Sequence, residues 1–425
     1  MASQKNRTSK SVEKERNEET IINEEVNEET NINQQVEENQ QNFIVETYTS
    51  FDNMEISEDI LRGIYAYGFE KPSAIQGKAI VPIIKGYDTI AQAQSGTGKT
   101  GTFAIAGLQL TNFNLLEPQI LVIAPTRELA TQISGVFSAI GEYCKVKTVT
   151  CIGGVNARLD EDALRSGRHV VVGTPGRIFH MINKGVFKLD SIKQLIIDEA
   201  DVMLEKGFKE QLYEIFNLGF PKTMKIALFS ATLTQDTYDI AHKFMKNYVN
   251  IAVDKEKVNL EGILQYKIVM QKDEHKFPTL IDLYKFISIK QAIIYCNNKN
   301  RVISLASELN ELKLSMTFMH GDMDQVERNK IMKEFRDGKY RILISTDLLA
   351  RGIDIQQVSL VINYDIPLSR ENYMHRIGRT GRYGRKGIAL NFVTDRDTAQ
   401  ISEIEETYKL TIHELPADIE NLFNV

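Results

Sequence analysis

Eight residues, Ala93 to Thr100 (AQSGTGKT), constrain this chain more than any others, because they join the apolar run Asp88-Thr89-Ile90-Ala91 to a helix-prone segment from Gly101 to Leu110. A strand, a glycine-bearing turn and a helix start in that order build a phosphate cradle. Gly96 and Gly98 let backbone N–H groups curl inward, and the helix adds unpaired donors and the positive end of its dipole. Lys99 is placed to reach the outer phosphates of a triphosphate, and the Thr100 hydroxyl to ligate Mg2+. Ala93 stands where the usual spelling begins with glycine, a departure that leaves the turn glycines intact. An incidental glycine loop is the alternative, and the GKT ending with correct flanks argues against it.

Upstream lies Gly68 to Gln76 (GFEKPSAIQ), which ends on an amide at a helix start. Glutamine pairs a donor with an acceptor and so fits the N6/N7 edge of adenine. A plain surface glutamine is the alternative, and the cradle downstream favours the base-reading role. Downstream, Leu195-Ile196-Ile197 is a buried strand that delivers Asp198-Glu199-Ala200-Asp201 at its tip. Asp198 suits Mg2+ held partly through water, and Glu199 suits the general base that orients the attacking water. Ile226 to Phe229 is a further strand and ends in Ser230-Ala231-Thr232, whose hydroxyls suit a relay of the acidic cluster's state.

Three more strand-like runs close on small polar turns: Gln119 to Ala124 before Pro125-Thr126-Arg127, Val146 to Ile152 before Gly153-Gly154, and His169 to Gly173 before Thr174-Pro175-Gly176-Arg177. In a parallel sheet all such carboxyl ends share one edge, where ligands bind. Thr126, Arg127, Gly154, Thr174 and Arg177 then form a surface able to hold a sugar-phosphate chain, or else they only cap helices and turns.

A chain of 425 residues exceeds one hydrophobic core. A charged, aperiodic stretch at 253–262 reads as a linker, and strand–helix alternation resumes after it with Gln265–Met270, Ala292–Cys296, Met316–Gly321, Arg341–Thr346, Leu360–Tyr364 and Ile388–Val393. The expected domains are an acidic tail at 1–42, an ATP-binding domain at 43–252 and a second domain at 263–425. This second half has no GKT. It carries four arginines among glycines (Arg376, Arg379, Arg382, Arg385), read here as too polar for a core and suited to phosphate. A guanidinium delivered from a second domain would stabilise charge on a transferring phosphoryl group, so hydrolysis would need the domains to close.

The formal charge of −6 is uneven: residues 1–42 hold five Lys or Arg against ten Glu, leaving 46 against 47, or −1, for the rest. A nearly neutral body permits a local basic groove. The tail composition cannot repay the entropy of folding and reads as disordered. The three cysteines lack disulfide or zinc spacing, no secretory or membrane-spanning segment is apparent, and the expected compartment is the cytoplasm, with the nucleus second.

These motifs together resemble the DEAD-box RNA helicases of superfamily 2, in order and at family spacing from Phe51 to Arg382. Within that family the stretches Leu61–Gln76, Ala91–Phe103, Ser345–Asp354, Gln356–Pro367 and His413–Phe423 are similar to the translation-initiation branch. Val202 after DEAD and Thr380 among the arginines depart from that branch. The resemblance implies two tandem RecA-like α/β domains with parallel sheets. It implies adenine contact by Gln76 with Phe51 and Phe69, and triphosphate and Mg2+ binding by Ser95, Gly96, Thr97, Gly98, Lys99, Thr100, Asp198 and Glu199. Ribose contact falls to Asp354 and the arginine fingers to Arg379 and Arg382. RNA-backbone contact is implied for Pro125, Thr126, Arg127, Gly154, Thr174, Pro175, Arg177, Gln325, Arg328 and Thr346, and coupling for Asp201, Ser230, Thr232 and His375. It further implies a monomer that clamps and bends single-stranded RNA and opens short duplexes during messenger-leader unwinding, with a scaffold protein of the cap-binding complex as partner. An exon-junction type of RNA clamp and a helicase of ribosome assembly are the alternatives.

Overall fold

The computed structural model describes residues 45–94, 96–205, 207–253, 263–286, 291–347, 358–380 and 387–416. The expected tail at 1–42, most of the expected linker, and Ser95, Asp354, Arg382 and Arg385 lie outside the described residues.

Short apolar runs make the strands: β1 (Thr89–Gln92), β2 (Ile120–Ile123), β3 (Thr148–Cys151), β4 (Val170–Gly173), β5 (Gln194–Ile197), β6 (Lys225–Ser230) and β7 (Val249–Ala252). Between them run α1 (Glu58–Ala66), α2 (Ala74–Ile84), α3 (Lys99–Leu110), α4 (Arg127–Ile140), α5 (Ala157–Arg165), α6 (Pro175–Asn183), α7 (Ala200–Glu205), α8 (Lys209–Phe216) and α9 (Gln235–Phe244). The second half follows with β8 (Ile263–Met270), α10 (Lys276–Phe286), β9 (Ala292–Tyr295), α11 (Lys299–Glu311), β10 (Met316–Met319), α12 (Gln325–Arg336), β11 (Ile342–Ser345), β12 (Leu360–Asn363), α13 (Arg370–Ile377), β13 (Gly387–Thr394), α14 (Thr398–Tyr408) and β14 (His413–Glu414).

The strands form two seven-stranded sheets, ordered β3-β4-β2-β5-β6-β1-β7 and β10-β11-β9-β12-β13-β8-β14, with every pairing parallel. Parallel strands need helical crossovers, which cover both faces and make continuous apolar runs the right strand text. Alternation then sends side chains to opposite layers. Ile120 and Val122 join Ile64, Ile80, Phe103 and Phe137 on one face of the first sheet, whereas Leu121 and Ile123 join Ile178, Met181, Leu212 and Ile240 on the other. The second sheet repeats this: Ile342 and Ile344 pack with Leu280 and Leu305, and Leu343 packs with Ile331 and Phe335.

Strand order decides which turns meet. Because β5, β6 and β1 are neighbours, the turns after them bring Asp198–Asp201, Ser230–Thr232 and the cradle to one half of the first sheet's carboxyl edge. The neighbours β3, β4 and β2 bring Gly153-Gly154, Thr174–Arg177 and Pro125–Arg127 to the other half.

Candidate active site

The cradle forms as its residue types dictate. Gly96 and Gly98 adopt φ of 83° and 100°, and Gly98 caps α3 in the left-handed region open to glycine. A Cβ at Gly98 would also come within 2.9 Å of Gln76 Nε2. Lys99, the first residue of α3, is 8% exposed and donates from Nζ to the Ala93 carbonyl at 2.5 Å.

Gln76 owes its placement to a capping box at the start of α2. Ser73 N donates to Gln76 Oε1 at 2.8 Å and Gln76 N to Ser73 Oγ at 3.4 Å, while Gln76 Nε2 donates to the Gly98 carbonyl at 3.4 Å. An amide has two lone pairs and two N–H groups, so one of each is left for a base. Phe69 lies beside it, in edge contact with Tyr67 at 5.0 Å and stacked on Phe51 at 6.5 Å. Phe51 is fully buried behind Phe69, which places it as a support for the base-side wall and not as part of that wall.

Asp198 is 3% exposed and accepts the Glu199 N–H at 3.0 Å. Burial pushes its carboxyl up to about 6, against the pull of Lys99. Glu199 holds a φ of 52°, an uncommon conformation for a residue with a Cβ and one that clusters at functional sites. Behind them, Asp201 Oδ2 accepts from Thr232 N at 3.2 Å and from Thr232 Oγ1 at 2.9 Å. Ser230 Oγ accepts from Asp201 N at 3.3 Å and donates to the Thr232 carbonyl at 2.6 Å. The two motifs are thus bonded into one unit.

Gln76, Gly96, Thr97, Gly98, Lys99, Thr100, Asp198 and Glu199 line a cavity of about 260 Å3, and Arg379 from the second half of the chain lines it with them. Arg379 is 3% exposed, follows α13, and donates from Nε to the His375 carbonyl at 3.1 Å. His375 is itself buried, one turn before it. The two sheets therefore close over a single chamber, with acid, ammonium and guanidinium facing it. Sequence reasoning missed Tyr67, Lys71, Leu129, Gln132 and Val136 in the wall. The last three share one side of α4 at helical spacing, a signal that is visible only once α4 is known to flank the cradle.

The family patterns for the DEAD/DEAH box helicase and the helicase conserved C-terminal domain match residues 73–240 and 275–384. Eukaryotic initiation factor 4A of Caenorhabditis elegans is 53% identical over 373 residues, covering 88% of this chain and 92% of the relative. The chain is a DEAD-box RNA helicase. Among solved structures, Saccharomyces cerevisiae Dbp5 bound to RNA and ADP BeF3 aligns with a TM-score of 0.82 at 33% identity, covering 89% of the helicase and 99% of that chain. A point variant of that yeast protein, bound to Nup159, a point variant of Gle1, IP6 and ADP, aligns with a TM-score of 0.64 at 31% identity, covering 87% and 98%. Of these two, the RNA- and ADP BeF3-bound structure superposes on the helicase with the higher TM-score.

The other half of the helicase's first sheet edge meets the second domain directly. Glu128, 7% exposed at the side chain, pairs with Arg328 Nη1 at 3.0 Å and accepts from Gln325 Nε2 at 3.2 Å. Gln325 Oε1 accepts from Arg328 Nη2 at 2.7 Å and from Arg127 Nη1 at 3.3 Å. Burial, then the neighbouring Arg328, lowers the Arg127 guanidinium from its ordinary range. Gly154, at φ 78°, lies against this seam: a Cβ there would fall 2.3 Å from Arg127 Nη1 and 3.4 Å from Gln325 Cβ. Gln325 and Arg328, read as RNA-backbone contacts, are only 1% and 4% exposed, and the buried Glu128 carboxylate draws Gln325 Nε2 and Arg328 Nη1 across the seam. Glu128 was not singled out in the sequence; an acid next to Arg127 at a helix start was its only signal.

Arg177 is likewise committed, with Nη1 2.5 Å from Asp160 Oδ2 and Nη2 donating to the Val155 carbonyl at 2.9 Å. Thr126 caps α4 by accepting the Leu129 N–H at 3.2 Å, Pro125 and Pro175 are buried, and Thr174 and Thr346 are half-buried at the ends of β4 and β11. Arg376, expected outside any core, is fully buried. Its Nε lies 2.5 Å from Asp347, and its Nη atoms reach the Asp365 carbonyl at 2.6 Å and Asn297 Oδ1 at 2.8 Å. Partners from the ends of three strands make a guanidinium core possible there. Val202 is buried, and Thr380 Oγ1 donates to the Val358 carbonyl at 3.0 Å.

Proposed function

We propose that this helicase works as an ATP-gated clamp that holds bent single-stranded RNA between its closed domains, opens short duplexes, and releases the strand after hydrolysis. Messenger-leader unwinding in translation initiation is the cellular role supported by the 53% identity to initiation factor 4A over most of the chain. The observation that carries the mechanism is Arg379 in the wall of a cavity otherwise built by Lys99, Thr100, Asp198 and Glu199 of the first sheet. Such a site is complete only when the domains are shut.

In this reading Gln76 and Phe69 hold the adenine, with Asp354 on the ribose, and Ser95, Thr97 and the cradle N–H groups hold the phosphates. Glu199 takes the proton of the attacking water. Arg379, with Arg382, stabilises charge on the transferring phosphoryl group. A divalent cation fits the donors present: Asp198 is a buried carboxylate that its surroundings resist ionising, and Thr100 brings a hydroxyl to the wall of the same cavity. Among the described residues no group of three His, Cys, Asp or Glu side chains forms a metal cage. Mg2+ takes few protein ligands and keeps waters and phosphate oxygens. When bound, it would neutralise phosphate charge.

Pro125, Thr126, Arg127, Gly154, Thr174 and Pro175 of the first domain and Thr346 of the second make the strand-holding face, and Gln325 and Arg328, expected to touch the strand, instead tie the two domains together beside Gly154. Contacts to phosphate and sugar position a strand without reading its bases. Duplex opening then needs only that the closed state bind bent single strand better than duplex. Asp201, Ser230, Thr232 and His375 couple the two events. A cap-complex scaffold is the proposed protein partner, the proposed working unit is a monomer, and the proposed location is the cytoplasm, as for a factor acting on messenger leaders. The proposed domains are 43–252 and 263–425 with a linker at 253–262.

The test is ATP turnover with and without single-stranded RNA, joined to recovery of bound proteins from lysate. RNA should raise turnover severalfold or more; turnover indifferent to RNA would overturn the clamp.

A further inference from the structure

Arg177 stands in the first turn of α6, next to Thr174 and Pro175 of the proposed strand-holding face, and the bland expectation for an arginine there is a direct phosphate contact. Its geometry says otherwise. Both terminal nitrogens are used inside the domain, one by Asp160 of α5 at 2.5 Å and one by the Val155 carbonyl at 2.9 Å. The side chains of Arg177 and Asp160 are only 11% and 8% exposed. Val155 follows the Gly153-Gly154 turn, and Gly154 lies against Arg127 and Gln325 at the seam between the domains. Arg177 belongs to α6, whose first turn follows Thr174-Pro175 at the end of β4. One guanidinium therefore ties the glycine turn, α5 and the first turn of α6 into a single block.

We propose that Arg177 and Asp160 form an internal clasp: two positioning residues that touch no RNA, but present the glycine turn and the start of α6 to the sugar-phosphate chain in register with the seam. This rests on the RNA-clamp reading above. The clasp needs a flat fork that reaches two acceptors at once, which arginine has and lysine lacks. It also needs a buried acid just behind a surface meant for a polyanion. Simple charge arithmetic would call that acid unfavourable for binding.

The two views predict opposite signs. With the intact chain, a non-hydrolysable ATP analogue and a fluorescent poly-uridine strand, Asp160→Asn should weaken binding about tenfold although it removes a negative charge, the scale of one lost charge-assisted hydrogen bond. Arg177→Gln and Arg177→Lys should weaken it equally, and Asp160→Asn with Arg177→Gln together no further. The slope of log affinity against log salt should stay that of the parent, because no phosphate contact is removed. A direct contact instead predicts that Arg177→Lys binds normally, that Asp160→Asn binds as well or more tightly, and that Arg177→Gln flattens the slope by about 0.7. Any of these overturns the clasp. Thermal unfolding identifies a variant that fails to fold, in which case the lysine variant decides alone. A parent chain that binds no strand at all sinks the RNA reading, and the clasp with it, before any variant is compared.

Discussion

The two sheets of this helicase share one strand order, each strand of the second being the counterpart of the strand seven places earlier, yet their equivalent edges end differently. After β1 the first helix begins at Lys99, and after β8 it begins at Lys276. After β5 comes Asp198, and just beyond β12 comes Asp365. In the first domain Lys99 turns to a backbone carbonyl and Asp198 accepts only a neighbouring N–H among its described bonds, leaving a cavity of about 260 Å3 in front of them. In the second, Lys276 pairs with Asp365 at 3.1 Å and with Asp273 at 2.9 Å, Arg301 lies 3.6 Å from Asp365 and 2.6 Å from Asp273, and Arg376 fills the space beyond. The lesson is about compensation. One edge keeps a buried acid short of cations and so keeps room for a charged ligand; the other satisfies its acid internally and becomes scaffold. The scaffold edge then lends a guanidinium, Arg379, to the open one.

The largest effect tests that loan. Arg379→Ala should cut RNA-stimulated turnover by about 10³ to 10⁵ while ATP still binds, as a single-turnover assay beside a fluorescent-nucleotide titration would show. A loss below tenfold would separate the two edges functionally. Glu199→Gln should slow hydrolysis by about 10² to 10⁴ and prolong the RNA complex, read by strand-release kinetics; normal turnover would remove Glu199 as base.

A smaller pair of effects has opposite signs for the same chemical change. Asp365→Asn leaves Lys276 and Arg301 with an incomplete counter-charge in a buried site, and should destabilise the protein by on the order of 3 kcal/mol in urea unfolding. Asp198→Asn should instead stabilise the nucleotide- and magnesium-free protein by about 1–3 kcal/mol at pH 8. The sign follows from the raised carboxyl: the fold favours its neutral form, so stability is full below the ordinary aspartate range and is lost as pH rises through about 6. Measured in a chelator, the Asp198→Asn advantage should fade towards pH 4. If both substitutions move stability in the same direction, the contrast between the edges is wrong.

Much of this contrast can be read in the chain before folding, and some cannot. The cradle, the DEAD run after β5 and the Ser-Ala-Thr after β6 are legible because each follows an apolar strand, and a parallel sheet puts all strand ends on one edge. Two strands, β7 (Val249–Ala252) and β14 (His413–Glu414), escape a reading by pattern. They are short and mixed in polarity, and become strands through pairing with β1 and β8. Arg376 escapes for another reason. Its partners Asn297, Asp347 and the Asp365 carbonyl sit far apart in sequence, and the carbonyl carries no residue signature at all.

Local text thus settled which residue types occupy each strand end, because turn geometry, helix starts and the alternation of side chains act over a few residues. Which of those ends face one another was settled by strand order and domain closure. That is where Glu128 acquires Arg328, Arg177 acquires Asp160, and Arg379 reaches Lys99's cavity. The reason is electrostatic: what a buried charge can do depends on which opposite charge the fold brings within about 3 Å, and spacing along the chain carries no record of that distance.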